Sequence, residues 1–159
     1  MSTLEQAARA FLGERRIAVA GVSRKGDTAA NVIYRKLRDT GYEVFALNPN
    51  ADTIEGDRCY RSVADIPGGV TAVVIGTAPH AAAGVVRDCH TAGVRRVWIH
   101  KSFGGGSLSD EAVQLCTELG MDVIPGGCPM MFAEPVDVGH KCFKWIFGVL
   151  GRHPVPLGH

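Results

Sequence analysis

The sequence predicts an α/β fold built as a doubly wound parallel sheet, and three observations carry that expectation. The stretch Ile17–Ala20 is apolar throughout, as a parallel strand covered on both faces has to be. It runs directly into Gly21 and then through Ser23, Arg24, Lys25 and Gly26 into an amphipathic helical pattern, the succession that opens a βαβ unit. Apolar strand patterns followed by helical ones then recur from Val70, Arg96 and Met121, which implies right-handed crossovers in one sheet. The expected architecture is Rossmann-like, three αβα layers around about five strands in the order 3-2-1-4-5.

Each element has a local reason. Residues 2–12 place Leu4, Ala7, Ala8, Phe11 and Leu12 on one helical face, with Ser2 and Glu5 at capping-box spacing. After the first strand and its glycine turn, Asp27 or Thr28 caps a helix over 29–40 that turns Val32, Ile33 and Leu37 to the sheet and stops at Gly41. Tyr42–Leu47 is the second strand, and Asn48-Pro49 ends it because proline lacks a donor and biases the residue before it away from helix. Residues 50–69, with Gly56, Pro67, Gly68 and Gly69, read as an irregular connection holding a single helical turn near Ser62–Asp65. Val70–Thr77 is the third strand, and Pro79 opens a helix over His80–Ala92 that Gly93 closes. Arg96–His100 is the fourth strand, followed by a loop at 101–106. Ser107 or Ser109 caps a helix carrying the stripe Ala112, Leu115, Cys116 and Leu119, and Met121–Ile124 is the fifth strand, leading to Pro125-Gly126-Gly127-Cys128-Pro129.

One domain over 1–159 is expected, with its core in 16–129 and a final helix at about 137–150. That last helix has a narrow polar stripe, His140, Lys141, Lys144 and Gly148, against a wide apolar remainder that includes Phe143, Trp145, Ile146 and Phe147. So wide a face needs more than one packing surface, and a homodimer contact is the expectation beside burial within one domain.

Composition excludes several classes. Seventeen basic and sixteen acidic residues give a net charge of +1, so no global field draws the chain to nucleic acid or to a membrane surface, and any anion site is local. The N-terminal residues lack the apolar core of a secretory signal, and no apolar run approaches the ~20 residues that span a bilayer. Five cysteines with no CxxC pair argue against a disulfide framework or a zinc site and for reduced thiols in the cytoplasm.

In a doubly wound sheet ligands bind outside the carboxyl ends of the strands where the winding reverses, expected here between strands 1 and 4. The residues that should converge are those of the Gly21–Gly26 turn, Ser23, Arg24 and Lys25, then Asn48 and Pro49, Thr77, Ala78 and Pro79, His100 and Lys101, and Gly127, Cys128 and Pro129. A glycine turn before a helix aims backbone N–H groups and the positive end of the helix dipole outward, which suits a phosphate. The turn GVSRKG lacks the second glycine of GxGxxG, and Asn48-Pro49 stands where an NAD site offers a carboxylate to the ribose. An NAD(P)-linked oxidoreductase is therefore the alternative reading. A Walker A loop also fails, because Asp27-Thr28 follows Gly26.

Several segments, GVSRK, ALNPN, the Gly56…Tyr60…Ser62-Val63-Ala64-Asp65-Ile66 connection, IGTAPHAAAGVV at 75–86, Val97-Trp98-Ile99 and GGCP at 126–129, resemble the small bacterial and archaeal CoA-binding proteins. Those are similar to the N-terminal CoA-binding domain of the succinyl-CoA synthetase α subunit and of ADP-forming acyl-CoA synthetases, and the resemblance runs from Ile17 to Pro129. It implies a Rossmann-like domain with CoA or an acyl-CoA lying across the strand ends. Ser23, Arg24, Lys25 and Gly26 match the phosphate-binding turn; Thr77, Ala78 and Pro79 match the loop after the third strand; Ile99, His100 and Lys101 match the loop after the fourth; and Cys128-Pro129 matches the Asn/Arg-Cys-Pro turn. Gly127 replaces the usual polar residue, and His100 stands where relatives often carry Gln or Glu. Independently of the resemblance, Arg24, Lys25 and Lys101 have the charge to neutralise the pyrophosphate and 3′-phosphate of CoA.

Reaction chemistry is not visible. The synthetases that use such a domain rely on a phosphohistidine in a further domain and on an ATP-grasp partner, neither of which these 159 residues contain. A binding module is therefore expected more than an enzyme, with a non-catalytic subunit of an acyl-CoA ligase as a further alternative. His80, His90 and His100 lie on separate elements without metal spacing, and His140 and Cys142 are two apart in the expected helix and share no face. Cys128 alone is a weak candidate for a nucleophile or a mixed disulfide with the CoA thiol, against the commoner role of cysteine as a small buried residue.

Overall fold

The first strand, β1 (Arg16–Ala20), is buried from Ile17 to Ala20 because it has a strand on each side and helices over both faces. In the computed structural model, which describes residues 3–102, 105–134 and 156–158, it follows α1 (Thr3–Gly13) and precedes α2 (Ala29–Asp39) and β2 (Glu43–Leu47). Thr28 caps α2 by accepting from the Asn31 N–H. A hairpin of β3 (Thr53–Ile54) and β4 (Asp57–Tyr60) comes next, then a one-turn 3-10 helix, Val63–Asp65, closed by the Ser62 and Asp65 capping box. The chain continues through β5 (Ala72–Ile75), α3 (Pro79–Thr91), β6 (Arg96–Ile99), a short ribbon of β7 (Lys101–Ser102) and β8 (Gly105–Gly106), α4 (Asp110–Glu118) and β9 (Asp122–Pro125). No described helix is long and apolar enough to cross a membrane.

Side chains alternate across the sheet with the period of two that strands impose. Ile17, Val19, Ala72, Val74, Trp98 and Ile124 face α1 and α2, packing with Phe11, Ile33, Tyr34 and Leu37. Ala18, Ala20, Val73, Ile75, Val97, Ile99 and Val123 face α3 and α4, packing with Ala82, Val86, Cys89, Ala112 and Cys116. The fully buried Trp98 anchors the first layer. Phe11 meets it edge-on with ring centroids 5.4 Å apart, and its indole N–H donates to the Gly126 carbonyl at 2.9 Å. This gives the ring a satisfied polar end as well as apolar area.

The three-layer fold is as expected, with one strand more in its parallel order. The main sheet has seven strands, β3-β4-β2-β1-β5-β6-β9. The 50–69 connection contains the β3–β4 hairpin, and β4 pairs parallel to β2 while β3 is antiparallel at the edge. Counting β4 as the third parallel strand restores 3-2-1-4-5 with β9 sixth, so Val70–Thr77 contains the fourth of them and lies beside β1. The winding therefore reverses between β1 and β5, not beside the strand at Arg96. The hairpin turns on Glu55 and Gly56, whose φ values of 56° and 79° are the pair a type I′ turn needs, and Glu-Gly is a weak signal for it. In β4 only Cys59 is buried, which leaves little apolar pattern to read. Residues 101–106, expected as a loop, carry the β7–β8 ribbon. The cap at Ser2 and the helix at about 137–150, with its expected dimer face, lie outside the described residues. Farther on, Leu157 pairs with Val123 of β9 by N–H to carbonyl bonds of 2.7 and 2.9 Å.

Candidate functional site

Register places the strand ends in one line. Leu47 pairs with Ala20, Ala20 with Ile75, Ile75 with Ile99 and Ile99 with Pro125. Because these strands are parallel, the next residues, Asn48, Gly21, Gly76, His100 and Gly126, form a single rim at the carboxyl edge. At its centre the backbones of β1, β5 and α2 are nearly in contact. Gly21 has φ 93°, and a Cβ there would sit 2.4 Å from the Gly76 carbonyl oxygen. A Cβ on Gly76 would sit 2.8 Å from the Ala30 Cβ. Glycine at both positions is what lets β1, β5 and the start of α2 pack this closely at the rim.

The turn after Gly21 is braced from within. Ser23 N–H donates to Asn31 Oδ1 at 2.8 Å, Lys25 N–H to Ser23 Oγ at 3.2 Å, and Gly26 N–H to the Ser23 carbonyl at 3.2 Å. The expectation of a turn with its amides free is thus corrected: the N–H groups of Ser23, Lys25 and Gly26 hold its shape, and Arg24 and Lys25 are the positive charges it carries. Both are exposed, and among the described residues neither side chain has an ion-pair or hydrogen-bond partner. A cleft of about 300 Å³ opens beside them, lined by Ser23, Arg24, Gly26 and the hairpin residues Thr53–Gly56.

The other expected residues divide into rim and support. Asn48 donates from Nδ2 to the Val22 carbonyl at 2.9 Å and accepts from the Asn50 N–H at 2.8 Å, so it buttresses the turn, while Pro49 is exposed. Thr77 is half-buried, and Ala78 and Pro79 are exposed at the start of α3. Ile99 is fully buried in the core and its carbonyl accepts from the Gly126 N–H at 2.8 Å; it supports the rim and does not line it. His100 is 4% exposed, its N–H bonded to Ile75 and its carbonyl accepting from Ser107. Lys101 is exposed, and its N–H ties the end of β6 to the Gly127 carbonyl at 3.0 Å. Cys128 is buried among core residues that include Met130 and Met131, and Pro129 begins the 3-10 turn Pro129–Met131.

Residues 15–134, from the start of β1 through that last turn, match the family described as CoA binding domain. The chain belongs to that family. An uncharacterized Bacillus subtilis protein, YneT, is 27% identical to this CoA-binding domain over 114 residues, covering 72% of the chain and 82% of the relative. The α subunit of an ADP-forming acetate–CoA ligase from Pyrococcus furiosus is 27% identical over 74% of the chain, which spans only 27% of that subunit. Among solved structures, a hypothetical protein from Pyrococcus horikoshii superposes with a TM-score of 0.75 at 27% identity, covering 83% of the chain and 91% of its own.

The CoA-binding domain also holds a network that the sequence reading missed. Asn31, Arg35 and Arg38 recur along α2 at the spacing of one face. Asn31 Nδ2 donates to the Ser23 carbonyl at 2.8 Å and to Glu55 Oε1 at 2.7 Å. Arg35 donates to the same Glu55 oxygen at 2.7 Å and to the Gly26 carbonyl at 2.9 Å. Arg38 and the Tyr34 hydroxyl both donate to Asp57 Oδ2 at 2.8 Å. The available signal was Asn31 itself, an amide three residues after the Thr28 cap and beside the apolar stripe of α2.

Hydrogen bonding by Asn31, with Arg35 and Arg38 adding attraction, holds the Glu55 carboxyl below its usual range. A carboxylate depressed in the folded state stabilises above its unfolded pKa of about 4.3 and loses that contribution as pH falls through the folded value. Urea midpoints should therefore show Glu55→Gln less stable than wild type near neutral pH, with the gap closing below about pH 4. A gap that stays constant down to low pH would show that ionised Glu55 does not stabilise the fold.

Proposed function

We propose that this CoA-binding domain binds coenzyme A or an acyl-CoA across the carboxyl edge of its sheet, as a binding module. The carrying observation is that the family match over residues 15–134 includes the whole rim from Gly21 to Pro129, with the close Gly21–Gly76 backbone approach at its centre. In this reading Arg24 and Lys25 pair with ligand phosphates, and the Gly21–Gly76 seam receives the pyrophosphate against backbone. Thr77, Ala78 and Pro79 border the ligand on one side of the seam and Asn48 and Pro49 on the other. His100, Lys101 and the Gly127-Cys128-Pro129 turn meet its far end. No reacting side chain is assigned: Cys128 packs in the core, and the role proposed for its turn is shape. Ligase relatives place a comparable domain within longer chains, and the reaction of those proteins is not carried over.

A thermal-shift panel with CoA, acetyl-CoA, NAD, NADP and ATP tests this directly. A ligand at a hundred times its Kd adds about 2.7 kcal/mol, roughly 5–10 °C for a domain of this size. CoA or acetyl-CoA should give that shift. A shift with NAD or NADP and none with CoA would replace the proposal with the oxidoreductase reading.

A further inference from the structure

Asn31 has no exposed surface, and all four hydrogen-bonding positions of its amide are filled. Oδ1 accepts from the Ser23 N–H at 2.8 Å and from the Thr28 hydroxyl at 2.5 Å. Nδ2 donates to the Ser23 carbonyl and to Glu55 Oε1. Toward Ser23 the amide thus behaves as a neighbouring strand would, taking both the N–H and the C=O of one residue. Glu55 closes the arrangement from the hairpin. Its φ of 56° is the left-handed region, which costs an ordinary side chain about 1–2 kcal/mol, yet the position carries glutamate. Through Arg35 the same carboxylate reaches the Gly26 carbonyl, so both ends of the turn, Ser23 and Gly26, depend on one amide–carboxylate pair.

We propose that Asn31 and Glu55 are positioning residues for the anion-binding turn, a pair that locks Ser23–Gly26 in the shape that projects Arg24 and Lys25 toward the ligand. The claim rests on the CoA reading above for its consequence in binding. Neither side chain needs to touch the ligand. A polar pair with every partner in place specifies one conformation, and removing one member leaves unsatisfied buried groups in the others.

The test uses Asn31→Asp, which keeps the acceptors but loses both donated bonds and sets two carboxylates together. It also uses Asn31→Asp with Glu55→Gln, which exchanges amide and carboxylate across the pair, and Glu55→Ala, a hairpin-tip change that leaves the core intact. Without ligand, amide hydrogen exchange at Ser23 and Gly26 should speed up about tenfold or more in Asn31→Asp and Glu55→Ala while β5 amides keep their rates. With CoA, each of these variants should raise Kd about tenfold, and the exchanged pair should recover part of that loss, since a carboxylate at position 31 re-forms the bond to the hairpin but cannot donate to the Ser23 carbonyl. Removing Arg24 and Lys25 should then cost less in the Glu55→Ala background than in wild type. Unchanged exchange at Ser23 and Gly26, or a lowered melting temperature with wild-type Kd, overturns the proposal. Wild-type protein that fails to bind CoA overturns the CoA reading instead, and the exchange result still decides whether the pair positions the turn.

Discussion

Replacing Arg24 and Lys25 together by alanine is expected to weaken CoA binding by well over tenfold, with almost no change in stability. Both side chains are exposed, and neither has a charged or hydrogen-bonding partner among the described residues, so their loss breaks nothing in the fold. Substitutions of that kind usually move stability by less than ~0.5 kcal/mol. A charge-assisted hydrogen bond to a phosphate is worth about 1.5–3 kcal/mol, and two of them exceed a tenfold change in affinity even when solvent screening halves each one. Raising the salt concentration should weaken the wild type more than the variant, because the lost contacts are the screened ones. Titration calorimetry reads both effects. Unchanged affinity would make Arg24 and Lys25 ordinary solvated loop charges and remove the phosphate role from the turn.

Gly21→Ala should destabilise the fold strongly, since a Cβ there makes the closest approach found among the described glycines. The new carbon would meet the Gly76 carbonyl oxygen at 2.4 Å and the Thr77 nitrogen at 2.7 Å. Both are backbone atoms, so no rotamer change relieves the clash. The φ of 93° adds about 1–2 kcal/mol of conformational penalty, and forced separation of two packed elements adds about 1–3 kcal/mol. A loss of roughly 2–5 kcal/mol lowers the melting temperature by about ten degrees in a domain of this length. The same shift would spread β1 from β5 at the seam, so binding should fall with stability. Calorimetric melting within two degrees of wild type, as an order-of-magnitude bound, would mean that the seam is looser than its geometry states.

The pattern of elements was legible where burial is two-sided. Ile17–Ala20, Val70–Thr77 and Arg96–His100 stand out because a strand with helices on both faces has to be apolar along its length. The Thr28 and Ser109 caps and the Ser62 turn follow from side-chain oxygens at the right offsets. The β3–β4 hairpin was not legible. Its second strand buries only Cys59, and its turn places a glutamate in a conformation usually left to glycine or asparagine. One missed strand was enough to shift the expected reversal of winding from β1 and β5 to the neighbouring strand. The same hairpin carries Glu55, so the network behind the turn was hidden with it. Asn31 escaped for a related reason, since a polar residue in a helix reads as exposed until a tertiary partner shows otherwise. The rim residues were legible through order along the chain, and burial then separates the exposed Lys101 and Arg24-Lys25 pair from Ile99, which holds the rim in place from the core.

Amide chemical shifts of the isotope-labelled chain, followed as CoA is added, show whether the ligand lies on the carboxyl edge of the sheet. Saturable shifts are expected at Gly21–Gly26, Gly76-Thr77, His100-Lys101 and Gly126–Cys128, with the opposite edge of the sheet, at Arg16, Thr71 and Asp122, unmoved. No saturable change on adding CoA, or changes centred on that opposite edge, would contradict binding at the carboxyl edge.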